Sequence, residues 1–146
     1  MIEELDPRSC EESVIALILT LRPHLGDHAS VHRVLLGCAD AGYRLVGIRD
    51  DSNVVVALAG FRLVVSLRNP RSLYIDDLVV DPISRRCGYA TRLLSWLDDE
   101  ARRLGCTALQ LDTGHTRFDA HRRYLAAGYS ITAHHLSKDV EVCDPS

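Results

Sequence analysis

Apolar residues recur along this chain in two rhythms, one helical and one alternating. Val14, Ile15, Leu17, Ile18 and Leu21 share one face at helical spacing; Asp6-Pro7 and Ser9 open that segment and Pro23 closes it. Between Gly26 and Gly42 a weaker stripe of Val31, Val34, Leu35 and Cys38 predicts a second helix. Ile2 to Leu5 reads equally as a short first strand or a tether. Tyr43 to Arg49 and Val54 to Val65 are extended runs rich in β-branched residues. The tetrad Asp50-Asp51-Ser52-Asn53 between them suits a hairpin turn, and Asn69-Pro70-Arg71-Ser72 makes the next reversal.

The stretch from Leu73 to Gly105 organises the rest. Leu73 to Val80 is a third strand of a meander, ended by Asp81-Pro82 because a residue before proline is kept out of the helical region. From about Tyr89, apolar residues recur at Leu93, Leu97, Ala101 and Leu104, one stripe down a helix that Gly105 stops. This helix carries the chain over to Ala108–Asp112 (residues 108–112), predicted as a buried strand parallel to its partner. A last helix, about Phe118 to Ala127, leads through Gly128 to strands or a strand-like tail near Tyr129 to Val142. The sum is an α/β chain, a mixed sheet covered by helices, in a single domain spanning residues 1–146.

Charge narrows the partners. Seventeen Lys and Arg against twenty Asp and Glu give a formal charge of -3, without the positive excess of a dedicated nucleic-acid binder. No apolar run approaches the roughly 18 residues of a membrane span, and the MIEELDP start is acidic and short of a signal-peptide core. A cytoplasmic protein is expected. The five cysteines are widely spaced and form no C-x-x-C pair, which argues against a disulfide framework or structural zinc.

Between strand and helix stands Ser84-Arg85-Arg86-Cys87-Gly88-Tyr89-Ala90. The first turn of a helix offers backbone N–H groups without intrahelical partners, Gly88 permits close approach, and Arg85 and Arg86 add positive charge. A phosphate or pyrophosphate fits this better than a lone carboxylate; a solvated basic turn is the plainer alternative. Walker and G-x-G-x-x-G fingerprints are absent.

The run Arg85-Arg86-Cys87-Gly88-Tyr89-Ala90 resembles the R/Q-x-x-G-x-G/A loop of the GNAT superfamily of N-acetyltransferases, with alanine at position 90 where glycine is more usual. Asp119 to Tyr129, with Tyr124 and the pair Gly128-Tyr129, resembles a second segment of that family. The resemblance implies the GNAT fold, a central mixed β-sheet flanked by helices, and transfer of an acetyl group from acetyl-CoA to a primary amine. It implies that the backbone from Arg86 to Thr91 holds the coenzyme A pyrophosphate, with Arg85, Cys87, Tyr89 and Ala90 in the same loop. Leu78, Val79 and Val80 would bond the pantetheine arm, and an N–H near Leu78 or Val79 would polarise the thioester carbonyl. The helical pair before Tyr43 would roof the acceptor site, making His24 to His28 a candidate specificity loop.

Direct transfer needs a neutral amine and a protonated leaving thiol. Asp76, on the central strand, is the candidate base; Asp77 has the opposite strand parity and is expected on the other face. Tyr124, where the resemblance implies a helical tyrosine facing the thioester sulfur, is the candidate acid, because a phenol is protonated at neutral pH. Both also admit structural readings, Tyr124 with Leu125 and Tyr129 as core residues. Cys87 occupies a variable loop position without the partners of a nucleophile. No metal is expected: His115, Asp119 and His121 cluster in sequence, but Gly114 argues against a helix joining them. His121 reads either as an acceptor contact or as a surface residue, and at most one of His134 and His135 would face a cleft. Asp112 stands where many GNATs carry asparagine. The acceptor is an amine-bearing small molecule or a protein amine, and the carboxyl-terminal strand offers a homodimer surface. The competing class is an acyl-CoA-binding sensor or interaction module without turnover.

Overall fold

The structure, a computed structural model, describes residues 1–114 and 117–142, in two compact units, Met1–Leu111 and Asp112–Ser146. In the first unit, β1 (Ile2–Leu5), β2 (Arg44–Arg49), β3 (Val55–Val64), β4 (Ser72–Val80) and β5 (Ala108–Leu111) form one sheet in the order β1-β2-β3-β4-β5. The first three pairings are antiparallel and β4–β5 is parallel, as a helical crossover requires. The helices of this unit are α1 (Glu12–Leu21), α2 (His28–Asp40) and α3 (Tyr89–Arg103).

One face of the sheet is covered by α1 and α2, through Val14, Ile15, Leu17, Ile18, Val31 and Leu35 packed on Tyr43, Leu45, Leu58 and Val79. The opposite face receives α3, whose Leu93, Leu94, Leu97 and Ala101 are buried and whose Trp96 meets Phe61 edge-on at 5.7 Å. Leu58 and Phe61 differ in strand parity, so one strand feeds both layers. Val34, expected inward, is 44% exposed; the apolar stripe of α2 is narrower and centred on Val31 and Leu35. The first helix begins at Glu12, because Asp6 instead closes a turn, its carboxylate accepting from the Arg8 amide and the Ser9 hydroxyl. In the β2–β3 hairpin, Asp50 Oδ1 accepts from the amides of Ser52 and Val54, and Asn53 takes a φ of 66°.

The strand β4 is not regular. Gly60 faces Asp77 and Phe61 faces Ile75, so Asp76 is the extra residue of a β-bulge. The β5 ladder runs from Ser72–Ala108 to Ile75–Leu111, ending one residue before the bulge. Asp76 to Val80 therefore present a backbone edge without a strand partner on the β5 side, among the described residues. β5, expected buried, is half-buried at every position.

The second unit contains α4 (Phe118–Ala126), closed by an Ala127-Gly128 turn with Gly128 at φ 96°. Residues 129–142, expected as strand, carry no regular secondary structure. His115 and Cys143 lie outside the described residues.

Candidate functional site

The free edge of β4 runs directly into the basic turn. Asp81 accepts from the Ile83 amide at 3.1 Å and turns the chain through a short 3₁₀ segment, Pro82–Ser84. Arg86 then takes φ 68° and Gly88 takes φ 77°, two left-handed residues separated by Cys87. Left-handed residues in a turn rotate successive N–H groups toward one side, the arrangement of an anion-binding concavity. Arginine at such a φ costs roughly 1 kcal/mol, a strain that marks the turn as shaped for more than reversal.

Gly88 is the N-cap of α3 and makes no side-chain capping bond. The first helical bond runs from the Arg92 amide to the Gly88 carbonyl at 3.0 Å, which leaves the amides of Tyr89, Ala90 and Thr91 without partners inside the helix. A β-carbon at Gly88 would meet nothing within 4 Å, so this glycine serves the left-handed turn and leaves open space over the free amides. Arg85, Arg86, Cys87 and Gly88 are all exposed. Arg92 adds a third positive charge and lies over the Tyr89 ring at 5.8 Å. Left-handed turn, unpartnered amides, open space and three guanidiniums together fit a pyrophosphate.

Upstream, the bulge corrects the expected parity of the two aspartates. Bulging turns Asp76 and Asp77 toward the same, α1–α2 face, where both find partners. Arg62 grips the Asp76 carboxylate through Nε (2.9 Å to Oδ2, 3.1 Å to Oδ1) and Nη2 (3.1 Å to Oδ1). Arg22, just past α1, donates from Nε to Asp77 Oδ1 at 3.0 Å and from Nη2 to the Asp76 carbonyl oxygen at 2.9 Å. Tyr43 donates its hydroxyl to Asp77 Oδ2 at 2.8 Å. Burial first, and then Asp77, push the Tyr43 phenol well above its ordinary range, so it remains a donor. Cys38 of α2 faces the same cluster, and burial raises its thiol, with Asp77 and Asp76 adding to the shift.

Arg22, Arg62 and Tyr43 belong to no motif or spacing that would assign them to this cluster from sequence. A signal existed in Gly60, a lone glycine inside an otherwise continuous apolar strand, which marks a bulge or a close approach.

In the second unit, Tyr124 is half-buried and meets Tyr129 edge-on at 5.8 Å. Burial raises its phenol pKa above 10, while Arg117 and Arg123 pull the other way, so the hydroxyl is protonated at neutral pH. A ring nitrogen of His121 lies 2.8 Å from the Gly114 carbonyl, which ties that side chain back to the segment before α4. His135 Nδ1 stands 3.4 Å from Asp112. Among the described residues no three His, Cys, Asp or Glu side chains are grouped as metal ligands would be. No described helix is long and apolar enough to cross a membrane.

Comparison with known proteins agrees with this architecture. The profile of the Acetyltransferase (GNAT) family matches residues 13–129. An uncharacterised N-acetyltransferase of Bacillus subtilis, YhdJ, is 31% identical over 121 residues, covering 82% of this chain and 84% of the relative. The aminoalkylphosphonate N-acetyltransferase of Salmonella typhimurium is 39% identical over 64 residues, 44% of this chain and 42% of that one. Among solved structures, the aminoglycoside N-acetyltransferase AAC(6')-Iy in complex with CoA superposes with a TM-score of 0.81 at 15% identity, covering 97% of this chain and 95% of that one. The chain belongs to the GNAT family of acetyltransferases, and its five-stranded mixed sheet flanked by α1, α2 and α3 is that family's fold.

Proposed function

We propose that this chain is an acetyl-CoA-dependent N-acetyltransferase, one domain over residues 1–146 acting in the cytoplasm, which moves an acetyl group to a primary amine by direct transfer. The observation that carries this is the continuity of one track. The β4 edge freed at Asp76 passes through Leu78, Val79 and Val80 into the left-handed turn at Arg86 and Gly88 and the open amides of α3. In this reading Arg85 to Thr91 cradle the pyrophosphate with backbone N–H groups and guanidinium charge, and the extended edge of β4 bonds the pantetheine arm. A backbone amide near Leu78 or Val79 polarises the thioester carbonyl.

The amine nitrogen bonds to the carbonyl carbon, the carbon–sulfur bond breaks, and two proton movements complete the exchange. Asp76 takes the amine proton, directly or through water; Arg62 occupies its inner fork, and a carboxylate has about four acceptor positions. Tyr124 returns a proton to the departing thiolate; burial keeps the phenol protonated at neutral pH, ready to donate. The Salmonella relative and the aminoglycoside enzyme are both named for amine acceptors, which supports an amine here.

The test is release of free thiol from acetyl-CoA by purified protein across a panel of primary amines. Amine-dependent release is expected. Acetyl-CoA binding without release for any amine would instead make the chain an acyl-CoA-binding module.

A further inference from the structure

The cluster on the α1–α2 face of the bulge holds two guanidiniums against one backbone residue. Arg22 binds the carbonyl of Asp76 and Arg62 binds its carboxylate, so both arginines converge within the span of a single residue. In each, Nε and Nη2 are engaged, Arg22 Nη2 standing 2.9 Å from both the Asp76 carbonyl oxygen and Asp77 Oδ1, while no hydrogen bond among the described residues reaches Nη1 of either. Arg62 is further fixed by lying over the Tyr74 ring at 5.0 Å.

Exposure sorts the two signs of charge. The side chains of Asp77 and Asp76 are 20% and 23% exposed, whereas Arg22 and Arg62 are 43% and 44% exposed. Each aspartate is matched by an arginine, so the array attracts a simple cation weakly. What it turns toward water is a pair of guanidinium edges, already oriented by carboxylates and an aromatic face. Immobilised guanidiniums with free N–H groups match the planar or tetrahedral oxygens of an acid group and lose little entropy on binding it.

We infer that the acceptor is an amine that also carries an acid group, and that the outward edges of Arg22 and Arg62 bind that group. This rests on the acetyl-transfer reading for the word acceptor, but not for the binding itself. With the acid group held there, the amine end lies beside the bulge, where Asp76 and the free β4 edge meet. A polyamine or an uncharged alkylamine would leave the guanidinium edges unused.

Three ligands of similar length separate the cases: 2-aminoethylphosphonate, β-alanine and n-propylamine, each titrated by calorimetry into the protein saturated with coenzyme A and each assayed for thiol release from acetyl-CoA. At least one of the two acidic amines is expected to bind ten-fold or more tighter than n-propylamine, the phosphonate leading if a tetrahedral dianion is preferred and β-alanine if a carboxylate is. Arg22→Gln and Arg62→Gln should each cut that preference about ten-fold, while Arg62→Lys restores part of it. Tight binding of an acidic amine without thiol release upholds the guanidinium site and removes acetyl transfer. Equal binding of all three by the wild-type protein, or preference for n-propylamine, overturns the inference whatever the turnover and however the variants fold.

Discussion

Tyr43 lies so close over Gly60 that a β-carbon at residue 60 would sit 1.6 Å from the phenol oxygen and 2.2 Å from Cζ. From that seat the hydroxyl donates to Asp77 at 2.8 Å, next to the bulge. The missing side chain of one strand thus makes the space in which a buried phenol orients a carboxylate on the next. Gly60→Ala should therefore cost about 2 kcal/mol, in the range of overpacking a filled interior. Because the ring carbon is nearly as close as the oxygen, adding Tyr43→Phe should not relieve the loss. Urea denaturation of both variants checks this; a neutral Gly60→Ala would contradict the seating.

Removing only the hydroxyl isolates the hydrogen bond. Tyr43→Phe alone should lower stability by roughly 1.5–3 kcal/mol, the usual worth of a bond to a charged acceptor. Asp77→Asn should lose part of the same amount, and the double variant should lose less than the sum, because the two side chains share one interaction. Strict additivity would mean that Tyr43 and Asp77 act independently.

A buried carboxylate on α3 sets a pH dependence. Glu100 is 6% exposed and is held by Arg103 and by Arg44 Nη2 at 2.7 Å; Arg103 first, then Arg44, bring its pKa down to about 2 from 4.5. A depressed folded value means that the stability it contributes is complete above the unfolded value and is lost as pH falls through the folded one. Glu100→Gln should cost about 2 kcal/mol at pH 7, short of a fully buried pair because Arg103 is largely exposed. The difference from wild type should shrink between pH 4.5 and 2. A difference that stays constant over that window would remove the ion pairs as its cause.

Much of this architecture is legible in the chain because its signals are local. The Leu93, Leu97 and Ala101 stripe and the Asp-Pro exit located β4 and α3 to within a residue or two, and the Asp50–Asn53 tetrad (residues 50–53) located the hairpin. The side on which Asp77 projects was not legible, since alternation holds only where no residue is inserted. The insertion at Asp76 is set by pairing with β3, a relationship distant in sequence. The same limit applies to residues 129–142, where strands or a strand-like tail were expected: strand formation depends on a partner, and the region carries none of the sheet's ladder. The loop at Arg85 to Ala90 was recognisable by its motif, while Arg22 and Arg62 reach the bulge from separate elements and no spacing announces them.

The turn before α3 can be probed without disturbing the fold. Asparagine tolerates left-handed φ better than other side chains, so Gly88→Asn should keep the helix while placing a side chain over the open amides. Acetyl-CoA affinity should fall at least ten-fold with an unchanged circular dichroism spectrum. Gly88→Val should lose binding too, at a greater cost in stability. Full affinity in a folded Gly88→Asn protein would place the pyrophosphate elsewhere.

Transfer itself separates Tyr124 from the binding elements. Tyr124→Phe keeps the ring against Tyr129, so acetyl-CoA affinity should stay within about threefold while turnover falls roughly 10²-fold or more. Asp76→Asn should lower the rate by a similar factor. Unchanged single-turnover rates would leave both residues as packing and ion-pair elements.

The proposed reaction passes an acetyl group from thioester to nitrogen on this chain. Its most direct measurement is a single turnover of wild-type protein with acetyl-CoA and an accepted amine, quenched in time and read both as free thiol and, by mass spectrometry, as N-acetylated product. Thiol and N-acetyl product should appear together, one for one, and both should be slowed in Tyr124→Phe. Thiol that appears without N-acetyl product, or at the same rate with no amine present, would contradict acetyl transfer.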